Sequence, residues 1–198
     1  TTTGSPSLTK DGQGVLLLSG STTYTGDMAI AAGELIMKGT FNGAPLVHAN
    51  GTFAPRNSVG EQDIFGAFLL DGTLQEEIGG PPSGVPGSDW DFVNVTGTAS
   101  VDGLINVSLV GGYVPDLGDR FEVIRASGGF TLASPTVTGD GLAPGQFWTY
   151  QTIDNSLYLV VGENQVGVPE PAALTLLSVA AAFVFASQLF TTKTRSHH

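Results

Sequence analysis

Apolar residues in this chain come in short runs of four or five, and most runs are closed by a glycine. Leu8-Thr9-Lys10 leads into Val15-Leu16-Leu17-Leu18-Ser19-Gly20, and Met28-Ala29-Ile30-Ala31-Ala32-Gly33 into Glu34-Leu35-Ile36-Met37-Lys38-Gly39. Runs this short suit strands, because a helix needs a longer stretch and each interior glycine costs it about 1 kcal/mol. The corners are single glycines or Gly-Thr pairs rather than hairpin dipeptides. That spacing predicts successive coils of a solenoid instead of a meander. The theme continues through Gly51-Thr52-Phe53-Ala54, Phe68-Leu69-Leu70-Asp71-Gly72-Thr73-Leu74, Asp89-Trp90-Asp91-Phe92-Val93-Asn94-Val95 and Val101 to Val110. Inward residues of one coil are then expected to stack on those above and below, each buried Leu, Ile or Val contributing about 1.5–3 kcal/mol.

From Gly111 the strands lengthen. Arg120 to Ala126 alternates polar and apolar, and Gln146–Ile153 and Leu157–Val161 flank Asp154-Asn155-Ser156. The last two segments predict an antiparallel hairpin that caps the solenoid, whose open end would otherwise expose an edge strand.

The C-terminus changes character. Val168-Pro169-Glu170-Pro171 is followed by residues 172–190, without Asp, Glu, Lys, Arg or His, and then by Lys193 and Arg195. A helix over that span reaches roughly 28 Å at ~1.5 Å per residue, close to the ~30 Å of a bilayer's hydrocarbon core. Thr175, Ser178, Ser187, Gln188 and the many alanines make it an adequate rather than a strong insertion sequence. Cations follow the span, and Glu163 and Glu170 precede it, which predicts the tail inside and residues 1 to about 167 outside. Pro169 and Pro171 set an extended entry at the outer boundary. The expected organisation is a solenoid region over 1–110, a β cap over 111–161, a linker with the motif over 162–171, a transmembrane helix over 172–190 and a basic tail over 191–198.

The Val-Pro-Glu-Pro-Ala segment, the single apolar helix and the short basic end resemble the PEP-CTERM sorting signal of bacterial envelope proteins. The resemblance covers about residues 168–198. It implies an exosortase-type enzyme that recognises Val168, Pro169, Glu170 and Pro171 and removes the tail, with Lys193 and Arg195 as retention cations. The basic end departs from the usual run of arginines. The alternative is an ordinary membrane anchor. Near the N-terminus, Leu18-Ser19-Gly20, Tyr24-Thr25-Gly26 and Ala32-Gly33-Glu34-Leu35 resemble the autotransporter-associated β-strand repeat, which implies rungs of a right-handed parallel β-helix. The fold class expected is therefore all-β: a right-handed parallel β-helix or β-solenoid-like domain with a C-terminal antiparallel capping hairpin, followed by a single transmembrane α-helix.

Composition narrows the functions. With 7 Lys plus Arg against 18 Asp plus Glu, the formal net charge is −11, and the basic patches that phosphate contacts need are missing, so nucleic acid is not an expected partner. Cysteine is absent, which leaves cohesion to packing and backbone pairing. About 165 residues precede the tail, enough for one domain with a core. The chain begins at Thr1 without a signal peptide, which export requires, so it is read as the C-terminal piece of a longer precursor.

Candidate chemistry is sparse. Outside the tail the one histidine is His48, so a Ser-His-Asp triad or a zinc site would depend on it. Three carboxylate pairs need weighing: Asp89 and Asp91 around Trp90, Glu76 with Glu77, and Asp116 with Asp119. Asp89 and Asp91 at period two would share a strand face about 6–7 Å apart. Such pairs serve polysaccharide-cleaving β-helices, or weak calcium sites, but Asp-Gly is also the ordinary composition of turns. The reading is a non-enzymatic, exported surface or matrix protein without cofactor, its partners an exosortase-type processing enzyme, the membrane through residues 172–190 and, possible in addition, an extracellular polysaccharide. The alternative is a tethered carbohydrate-binding or polysaccharide-degrading β-helix, which requires Trp90 or Trp148 exposed beside Asp89 or Asp91.

Overall fold

The computed structural model describes residues 7–19, 26–38, 44–48, 50–55 and 58–163. The sorting motif Val168–Pro171, the span 172–190, Lys193 and Arg195 lie outside the described residues. Among those described, no helix is long and apolar enough to cross a membrane.

Strands coil in one direction around a shared core, as the glycine-closed runs predict. Two sheets are built from successive coils. The first takes β1 (Leu8–Lys10), β3 (Asp27–Ile30), β5 (Ala44–Val47), β8 (Phe68–Leu70), β11 (Ala99–Val101) and β14 (Phe130–Leu132). The second takes β2 (Val15–Ser19), β4 (Gly33–Lys38), β6 (Gly51–Ala54), β9 (Thr73–Ile78), β12 (Leu104–Leu109) and β15 (Thr136–Gly139). A third sheet begins at β7 (Glu61–Ile64) and continues through β10 (Phe92–Val95) and β13 (Arg120–Ala126). All pairings within these three series are parallel.

Parallel in-register stacking puts like positions in columns. Leu16, Leu35, Phe53, Leu74, Ile105 and Val137 are consecutive Cα partners down the second sheet. Leu35, Phe53, Leu74 and Ile105 have no exposed surface. In the first sheet Ala99 sits between Phe68 and Phe130, a small side chain making room for two rings. On the outer face of the lower coils, polar side chains of neighbouring coils bond to one another. Asn94 Nδ2 donates to Asp63 Oδ1 at 2.9 Å, 31 residues apart, and Asn106 Nδ2 to Gln75 Oε1 at 2.8 Å, also 31 apart. The lower coils therefore have a step of about that length.

Glycine makes the corners possible. A Cβ on Gly103 would lie 2.0 Å from the Gly72 oxygen one coil away, and one on Gly97 2.4 Å from the Gly66 oxygen. No side chain fits between coils there.

The C-terminal hairpin pairs β16 (Gln146–Ile153) with β17 (Ser156–Glu163), antiparallel, around a two-residue turn at Asp154 and Asn155. Asp154 has φ 52°, a left-handed value that Asp and Asn tolerate better than other side chains. β17 also pairs antiparallel with β13 and so extends the third sheet. The pairing carries a register shift between Glu122 and Ile124. That bulge turns both Val123 and Ile124 into the core, so the strict alternation expected for Arg120 to Ala126 is broken.

Candidate functional site

The three carboxylate pairs were the leading candidates for chemistry, and the fold separates or occupies each. β9 alternates: Leu74, Glu76 and Ile78 are fully buried, whereas Thr73, Gln75 and Glu77 are half-buried on the outer face. Glu76 and Glu77 thus point to opposite sides of one strand.

Asp89 and Asp91 do not share a strand face, because Asp89 lies in the turn segment that precedes β10. Its Oδ2 accepts the Val85 N–H at 2.7 Å. Asp91 is 2% exposed; its Oδ1 accepts the Gly60 N–H at 2.7 Å and its Oδ2 the Glu77 N–H at 2.9 Å. One side chain therefore ties the coil above and the preceding strand to the corner where β10 begins. Asp119 does similar work in the turn before β13. Its Oδ2 accepts the Asp116 N–H at 2.9 Å and the Tyr113 hydroxyl at 3.1 Å. Burial, then the hydrogen bond to Asp119, pushes the Tyr113 hydroxyl up to about 12.

Both tryptophans are inside. Trp90 is 2% exposed and donates through Nε1 to the Glu122 carbonyl at 2.8 Å. Trp148 is 6% exposed. They meet Phe121 edge-on, at centroid distances of 5.5 Å and 6.1 Å, and Tyr113 approaches the same ring at 6.4 Å. The aromatic platform beside Asp89 or Asp91 that glycan chemistry requires is thus packed into the base of the core. His48 is exposed in the turn between β5 and β6, where its N–H donates to the Ile30 oxygen. Among the described residues, no group of three or more His, Cys, Asp or Glu side chains is placed to hold a metal ion.

Surface depressions lie on two of the sheets. One, of about 450 Å³, lies on the outer face of the second sheet and is lined by Asn106, Ser108, Leu109, Thr138 and Asp140 among others. Its amides and hydroxyls are bonded along the ladder: Thr138 Oγ1 donates to Asn106 Oδ1 at 3.1 Å, and Gln75 Nε2 to Ser108 Oγ at 2.8 Å. The other, of about 280 Å³, is apolar and lined by Leu8, Met28, Ala29, Leu46 and Leu69.

Sequence reasoning passed over Lys10, which is 7% exposed and donates from Nζ to the Gly12 and Ala32 carbonyls at 2.7 Å and 2.8 Å. It closes the corner that Gly33 turns with φ 70°. A Cβ on Gly33 would meet the Gly12 oxygen at 2.4 Å. Ala32-Gly33-Glu34-Leu35 is therefore a corner followed by a core position, with Leu35 fully buried. A sequence model of the Passenger-associated-transport-repeat family matches residues 8–37, the stretch that carries the first two coils. Curated proteins give no match. The chain thus carries a repeat of the passenger-associated transport type in an all-β, mainly parallel coil.

Proposed function

We propose that this chain is an exported bacterial cell-surface or extracellular-matrix structural protein whose C-terminus is a PEP-CTERM-type sorting signal. The observation that carries the reading is the passenger-associated transport repeat at residues 8–37, folded as the first coils of a parallel β-solenoid. The solenoid supplies a stiff body of low charge density. The tail supplies address and tether: Val168, Pro169, Glu170 and Pro171 are read by an exosortase-type enzyme, residues 172–190 enter the membrane, and Lys193 and Arg195 hold the end in the cytoplasm. The protein acts by display and has no catalytic centre.

The carbohydrate-active alternative loses its main support with the burial of Trp90 and Trp148. The depression bounded by Asn106, Ser108 and Thr138 is where a matrix polysaccharide would lie, hydroxyl against amide.

The reading is tested by protease treatment of intact native-host cells expressing the full chain. Solenoid epitopes are expected to be accessible without cell lysis, and Glu170→Ala is expected to shift the protein into the membrane fraction. A solenoid protected until lysis would overturn display, and identical fractionation of both proteins would overturn the sorting role.

A further inference from the structure

We propose that proton loss from Glu76 is a built-in destabilising switch of the solenoid, loosening the coil around β9 as pH rises. Glu76 occupies an inward position between Leu74 and Ile78, both fully buried, and pairs across the sheet with Val107, 2% exposed. The side chain itself has no exposed surface, and among the described residues neither carboxyl oxygen has a hydrogen-bond partner. An isolated carboxylate in such surroundings is expensive, whereas the neutral acid is tolerable. The titratable groups around it add to this. Asp91, buried at the corner ahead of β10, is one, and the other is Glu77, the next residue of the strand, which acts through space from the outer face. Asp91 turns both carboxyl oxygens to main-chain amides, Oδ1 to Gly60 N–H and Oδ2 to Glu77 N–H, which fixes this second acid at the corner. Burial first, then the repulsion of Asp91 and Glu77, holds the Glu76 carboxyl well above the usual carboxylate range.

The sign follows from linkage. In the unfolded chain Glu76 ionises near pH ~4.3. In the folded chain it keeps its proton to higher pH, so the native state binds more protons across that window. Stability from this group is full below about pH 4.3 and falls as pH rises toward the folded-state value. Ionisation therefore requires the carboxyl to reach water, which means opening β9 against β6 and β12. This is separate from the sorting of the tail and stands or falls without it.

The test is the thermal midpoint of the full chain in mild detergent, measured from pH about 5 to about 8, for wild type, Glu76→Gln and Glu76→Leu. The wild-type midpoint is expected to fall by about 4–8 °C more than that of either variant, with both variants the more stable at the alkaline end. Parallel profiles would overturn the proposal. Where the variants do not fold, the infrared carbonyl band of a protonated carboxyl in wild type at pH about 7 decides: its presence supports the switch and its absence overturns it.

Discussion

At the scale of single residues, two kinds of position hold the coils together: glycines that admit a neighbouring carbonyl, and acids that accept main-chain amides. Gly103→Ala places a methyl 2.0 Å from the Gly72 oxygen, so the corner must open. A loss of at least about 2 kcal/mol is expected from urea unfolding, well beyond the ordinary cost of a surface substitution. Asp91→Ala removes the acceptor of a buried amide, Gly60, and of a part-buried one, Glu77. It is expected to cost about 2–4 kcal/mol, with Asp91→Asn recovering part of it, since each buried donor left alone costs ~1–3 kcal/mol. The corner glycines were legible in the sequence, because most apolar runs ended on one. The inward position of Glu76 was also legible, since period two from Leu74 to Ile78 places it on their face. Asp91 gave no such signal: its two amide partners lie 31 and 14 residues away, and only the coil step brings them together.

At the scale of elements, the two ends of the solenoid differ. Among the described residues β1 and β2 each have a neighbour on one side only in their sheets, and the inward Leu16 and Leu18 are half-buried while Leu35 and Met37 below them are buried. At the other end Trp148 from the hairpin packs against Gly139, where a Cβ would meet the indole at 2.9 Å. Trp148→Ala should therefore cost about 3–5 kcal/mol in chemical denaturation, and Gly139→Val should disturb the same contact and blunt the near-UV signal of the aromatic cluster. Hairpin and solenoid character were readable from strand length and turn chemistry. The bulge in β13 was not, because it is a register shift against β17, a strand more than thirty residues further along the chain. The coil step was obscured too, since Leu16, Leu35 and Phe53 stack at shorter intervals than the lower coils do.

At the scale of the whole molecule, architecture and address are separable. Among the described residues the coils share one core, into which Trp90 and Trp148 are packed, and Asp91 and Asp119 are bonded to the turns beside it. The proposed role in the envelope rests on the repeat at residues 8–37 together with the sequence of the tail, and the tail is where it is most directly exposed to test. The measurement is the intact mass of the mature protein from the native host, with Glu170→Ala beside it. Loss of the residues after Pro171 in wild type, and their retention in Glu170→Ala, is the expected result. A full-length, membrane-extracted product from both would contradict processing and leave the tail a plain anchor for a β-solenoid.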